Sequence, residues 1–213
     1  MPFAKGLSIC EDERRLVLQG FTEQLNILEA AEQNQENSLK AQLYDIITDF
    51  SLTDEEKSDL KRPYQSFLQE LEERHIRIRR SVFMGIYAFW ELSLMEIVRT
   101  HFSKELLSKN STRMGAYDYL TVIYGADLPA PVEIINTHIR EFRNYLVHGS
   151  LNEDRATSIN YLIKSHPTIG IKGSNVGYYL SDYKGLRTLL DLFSQELDNA
   201  EKQLITTKKH HME

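Results

Sequence analysis

The stretch Glu141-Phe142-Arg143-Asn144-Tyr145-Leu146-Val147-His148-Gly149 decides how this chain is read. It closes a segment in which Val132, Ile135, Ile139, Phe142 and Leu146 recur at spacings of three and four. That period marks a helix with one buried stripe. Pro131 suits the first turn of such a helix, and Gly149 stops it directly after His148. Arg143 stands five positions before His148, about 140° away around the helix, with Asn144 one turn below the imidazole. All three polar side chains flank the apolar stripe. The expected result is a cation, an amide and an imidazole bordering a core at one helix end.

Upstream, Phe83 to Phe102 is the most apolar helix of the chain, with Phe83, Ile86, Tyr87, Trp90, Leu94, Ile97 and Val98 on a broad face. Glu91 adjoins that face. A carboxylate there is costly unless paired. Glu91 either turns sideways to solvent or meets a cation, and Arg143 is the expected partner. Arg-Asn, three residues and His at a helix end, preceded by Ala88-Phe89-Trp90-Glu91-Leu92-Ser93-Leu94, resembles the R-x4-6-H signature of the HEPN superfamily. The likeness covers about residues 81–149. It implies an all-helical bundle and a metal-independent RNA endonuclease, a toxin or anti-phage effector of a prokaryotic conflict system. It also implies a symmetric homodimer that joins two motif helices, and a cognate antitoxin or regulatory protein as a possible partner.

Composition bounds the alternatives. At 213 residues, 41% apolar and 26% charged, the chain suits a soluble globular protein with an ample core. The net charge of −6 provides no global basic field, so RNA contact requires local positive patches. A single cysteine, Cys10, excludes an internal disulfide framework and a cysteine-based zinc site. Its neighbours Glu11, Asp12 and Glu13 disfavour a thiolate. With no signal-like segment and no run of 18 apolar residues, a cytoplasmic protein without membrane association is expected.

In chain order, Leu16, Phe21, Leu25 and Leu28 predict a helix from Glu11 to Ala31. The polar run Glu32 to Ser38 is a loop or an exposed helical face, and Leu39 to Phe50 reads as a second helix. Thr53-Asp54-Glu55-Glu56 is a capping box, opening a helix that should stop or bend before Pro63. From Pro63 to Phe102 the sequence admits one helix or two bent near Gly85. Arg74, Arg77 and Arg80 form a stripe one turn apart, either a solvated face or an RNA-binding surface. Asn110-Ser111-Thr112 matches a sequon to which no function is attached. A short helix around Tyr117, Leu120, Val122 and Ile123 ends at Gly125, and a proline turn leads into the motif helix.

Beyond Gly149, residues 159–164, 168–172 and 176–180 read as short strands, so 151–180 is expected to be a β-hairpin insertion. Ser181-Asp182 caps a last helix carrying Leu186, Leu189, Leu190, Phe193, Leu197 and Leu204, and 206–213 is expected to be a disordered tail. With no internal repeat or linker, residues 1–213 form one mainly α domain.

RNA cleavage without metal needs a base for the ribose 2′-oxygen, charge on the phosphorane and an acid for the leaving 5′-oxygen. Histidine is the one side chain of the trio that ordinarily titrates near neutrality, so His148 is the expected acid or base. Arg143 can hold a phosphate by two parallel hydrogen bonds. Asn144 orients His148 or contacts the phosphate, Glu91 fixes the Arg143 fork, and Tyr145 packs beside them. One trio has one imidazole; a two-fold dimer supplies two, and the product is a 2′,3′-cyclic phosphate. Glu72-x-x-His75 lacks the second copy a di-iron bundle needs, and no H-E-x-x-H, P-loop or dinucleotide motif occurs. No metal or cofactor is therefore expected. The competing reading is a non-catalytic helical module that binds nucleotide or a partner protein.

Overall fold

The computed structural model describes residues 3–101, 116–125, 127–174 and 177–210. The chain is mainly α; the described residues form six helices and one small antiparallel hairpin before the C-terminal helix. Helix α1 spans Phe3–Thr48 and α2 spans Asp54–His101. Helix α3 is Ala116–Tyr124, ending at Gly125 with φ +79° as expected. The motif helix α4 occupies 130–148: Ala130–Glu133 and Arg140–His148 are regular α, and Ile134–Ile139 is a π-segment. Helix α5 is Glu153–Ser165; strands β1 (Ile171–Ser174) and β2 (Gly177–Leu180) follow, then α6 (Tyr183–His210).

Two expected helices in the first 50 residues are one. The run Glu32 to Ser38 holds no Gly or Pro, so α1 passes through it with most of its polar side chains in water. The capping box forms: the Thr53 N–H donates to Glu56 at 2.8 Å, and Glu56 N–H returns to the Thr53 hydroxyl at 3.3 Å. Pro63 does not end α2, which runs through it to a total length of 48 residues, a rod of about 72 Å. Asp59, whose carbonyl loses its partner to the proline, is exposed and open to hydration. No break occurs at Gly85 either.

The second half of α2 is the axis of the core. Phe83, Ile86, Trp90, Leu94 and Val98 are buried against Leu25 of α1, Leu120 of α3, Phe142 of α4 and Phe193 of α6. Trp90 stacks on Phe193 with centroids 5.4 Å apart, and Phe83 meets Phe142 at 5.5 Å. The same apolar run makes α2 the one helix among the described residues long and apolar enough to cross a membrane, and half of that window is buried inside the protein.

Residues 151–180 are not a hairpin throughout. Residues 153–165 are helical, started by the Asn152 side chain, which accepts from Arg155 N–H at 2.9 Å, with Glu153 and Asp154 in the first turn. The β-branched run at 159–164 reads equally as strand or buried helix, and the cap decides it. Residues 167–169 form a 3-10 turn, which confines the hairpin to 171–180, with Ile171 opposite Leu180 and Lys172 opposite Tyr179. Asp182 caps α6 through Gly185 N–H at 2.8 Å. The last helix runs to His210, past the start of the expected tail. The sequon at 110–112, residues 175 and 176 between the two strands and residues 211–213 lie outside the described residues.

Candidate functional site

The stripe of α4 is buried as its spacing requires: Val132, Ile135, Ile139, Phe142 and Leu146 all lie in the core. Gly149 takes φ +67° and donates its N–H to the Tyr145 carbonyl at 2.8 Å, ending the helix. Arg143 and Asn144 are half-buried and His148 is exposed. The π-segment shifts the phase only upstream of Arg140, so Arg143 and His148 keep the offset of a regular helix. Such wide turns recur at functional sites.

Arg143 is the centre of the arrangement. Its guanidinium lies over the Tyr87 ring, 5.7 Å from the centroid. Its Nη1 donates to Asn144 Oδ1 at 3.2 Å, while its buried Nε has no hydrogen-bond partner. Asn144 in turn donates to Glu141 at 3.4 Å, and Glu141 accepts from Arg155 Nε at 3.1 Å. Arg155 also donates to the Ser150 carbonyl at 2.8 Å. A chain Arg143–Asn144–Glu141–Arg155 thus fastens the end of α4 to the start of α5.

At three expected positions the structure shows particular contacts. Among the described residues Asn144 makes no hydrogen bond to His148; it accepts from Arg143. Glu91 and Arg143 are close enough for Arg143 to oppose the rise that burial imposes on the Glu91 pKa. Yet among the described residues no hydrogen bond or ion pair joins them, because the guanidinium turns to Tyr87 and Asn144. The Arg74–Arg77–Arg80 stripe is broken up. Arg80 donates to the Leu146 carbonyl and caps α4, Arg77 faces Glu73 at 3.9 Å, and Arg74 remains exposed. Tyr145 packs as expected, against Tyr178.

Tyr87, Glu141 and Arg155 were not read as site residues in the sequence. Tyr87 lies one turn before Glu91 on α2 and was legible from helical spacing. The pairing of Glu141 with Arg155 crosses a helix boundary and has no local signal.

A second cluster forms away from α4. Glu32 of α1 joins Glu72 and His75 of α2, with donor atoms within 4.8 Å of one another. The long-range carboxylate was invisible to the sequence pattern. Arg79, only 1% exposed, already lies against both acids, at 2.6 Å from Glu32 and 3.1 Å from Glu72, and its Nε donates to the Leu180 carbonyl at 3.0 Å. Its fixed charge opposes a metal ion among the same oxygens.

His138, in the π-segment, stacks on Tyr161 at 4.1 Å, and burial lowers its pKa against the pull of Glu133. It lies on the α5 side of α4 and braces that contact. Comparison of the chain with family models, with curated proteins and with solved structures finds no match.

Proposed function

We propose that the protein is a metal-independent RNA endonuclease of the HEPN type, acting as a cytoplasmic homodimer. One observation carries the reading: a half-buried guanidinium keeps a desolvated N–H without a partner among the described residues, on the same helix end as an exposed imidazole. A buried unsatisfied donor costs about 1–3 kcal/mol, and a phosphate oxygen would satisfy this one once the guanidinium turns toward solvent. Arg143 binds the scissile phosphate and stabilises the phosphorane, with Asn144, Glu141 and Arg155 fixing its fork. His148 removes the 2′-hydroxyl proton; the 2′-oxygen attacks phosphorus and the bond to the 5′-oxygen breaks. The His148 of a second copy, across a two-fold axis, protonates that leaving oxygen. The products are a 2′,3′-cyclic phosphate and a 5′-hydroxyl.

The test is an assay on total RNA with wild type, Arg143→Ala and His148→Ala, with end-group analysis and with EDTA present. Wild type should cut in EDTA and leave cyclic phosphate ends, and each variant should lose at least about 100-fold in rate. Variants that cut as wild type does would remove these residues from the mechanism. A wild type that never cuts, even freed of any bound regulatory protein, favours the binding module.

A further inference from the structure

The hairpin is fastened to the motif helix. Tyr178 N–H donates to the Tyr145 hydroxyl at 3.1 Å, and the two rings meet edge to face with centroids 5.7 Å apart. Gly177 permits this seat, because its φ of +122° disfavours a side chain and a β-carbon there would run into the Tyr145 hydroxyl. The docked hairpin, the end of α4 and α2 enclose a cleft of about 330 Å³, within the range of small-ligand pockets. Tyr145, Tyr178, Tyr179 and Arg80 line it, together with Gly149, the residue after His148.

The edge of β2 in this cleft is particular. Ser181 N–H donates to the Gly170 carbonyl at 2.8 Å. Ladder parity then turns the backbone groups of Tyr178 and Leu180 away from β1. Tyr178 N–H goes to Tyr145 and the Leu180 carbonyl to Arg79. Among the described residues the Leu180 N–H and the Tyr178 carbonyl are then left without a partner, one donor and one acceptor on one edge. An added peptide strand would need the whole row, and half of it is consumed. A flat ring with a donor and an acceptor on its rim needs only those two. Arg80 makes no ion pair among the described residues, and Lys172, across from Tyr179, is exposed. The surroundings therefore suit a polyanion.

We propose that this cleft is a nucleobase subsite, taking one unpaired base of the single-stranded RNA whose scissile phosphate Arg143 holds. The substrate class rests on the endonuclease reading above. Tyr179 is the stacking platform, the β2 edge reads the rim of the base, and Arg80 and Lys172 attract the backbone. Duplex RNA keeps its bases stacked and is excluded.

The experiment measures binding apart from cleavage, using fluorescein-labelled single-stranded homopolymer RNAs and a matched duplex with His148→Ala protein. Single strands should bind in preference to duplex. Adding Tyr179→Ala should weaken single-strand binding about tenfold, and Tyr179→Phe should restore it, since the ring and not the hydroxyl stacks. Photo-crosslinking of 4-thiouridine RNA to the parent should label the peptide holding residues 177–180, a readout that needs no substitution in the hairpin. Unchanged affinity in Tyr179→Ala, absence of RNA binding, or crosslinks only elsewhere would overturn the subsite. The two readings fail separately: ring-dependent binding without cleavage by wild type removes the nuclease and keeps the subsite, and cleavage indifferent to Tyr179 does the reverse.

Discussion

Glu196 is 2% exposed, and each of its oxygens faces a neutral donor: Trp90 Nε1 at 2.7 Å and the Tyr124 hydroxyl at 3.5 Å. Burial pushes its pKa up to about 7, against the smaller downward pull of those two bonds. The native state therefore holds this proton more tightly than the unfolded chain does. The associated stability is complete below about pH 4.5 and is lost as pH rises through about 7. Thermal melts should show wild type losing stability between pH 5 and 8 and Glu196→Gln losing less, with roughly 2–4 °C for each 1 kcal/mol recovered. Equal slopes for the two proteins would show that another group carries the pH dependence. Arg79 makes the opposite case, a buried charge already satisfied by Glu32, Glu72 and the Leu180 carbonyl. Arg79→Ala strands a half-buried carboxylate and should cost about 3–5 kcal/mol in denaturant unfolding. At Glu91 burial and Arg143 pull in opposite directions. In Arg143→Ala the Glu91 pKa should rise further, read by carboxyl carbon NMR titration.

At the scale of elements, the hairpin depends on α4. Two four-residue strands do not persist alone in water. Their anchors are Ile171 and Leu180 in the core and the seat of Tyr178 on Tyr145. Gly177→Ala should unseat β2, and pairing it with Tyr145→Phe should recover part of the loss by removing the obstructing hydroxyl. Hydrogen exchange at the amides of 178–180 reads both. If Gly177→Ala protects these amides as wild type does, the seat is not what holds the strand.

Across the whole molecule, the two long helices divide into an anchored and a projecting part. No residue from 33 to 74 is buried, whereas Val82 to Val98 of α2 forms the centre of the core. Tyr44, Phe50 and Phe67 are 65%, 99% and 52% exposed on the projecting arm. With so little apolar surface covered, the arm should open by local unfolding, and amides of 36–70 should exchange well before those of 82–98. The proposed dimer adds a test of its own. Val147, exposed beside His148, is a site where cysteine, with Cys10→Ser, should give an intermolecular disulfide on mild oxidation if two α4 helices face each other. A product that stays monomeric when oxidised at high protein concentration would remove the shared site.

The sequence by itself determined the period of α4, its stop at Gly149, the capping box at Thr53, the short helix before Gly125 and the hairpin ahead of the last helix. Each follows from forces acting within about one turn of chain: steric limits on φ, orphan backbone groups at helix ends, and the burial of a stripe. The tertiary structure also shows α1 and α2 unbroken past a polar stretch and past Pro63, and 153–165 helical behind the Asn152 cap, a local signal that the strand reading passed over. It alone decided that Arg80 caps α4, that Arg79 is neutralised by a glutamate 47 residues away, and that Arg143 rests on Tyr87 with Asn144, Glu141 and Arg155 behind it. Those outcomes turn on which charge or ring arrives from a distant segment, and no spacing along the chain encodes that arrival.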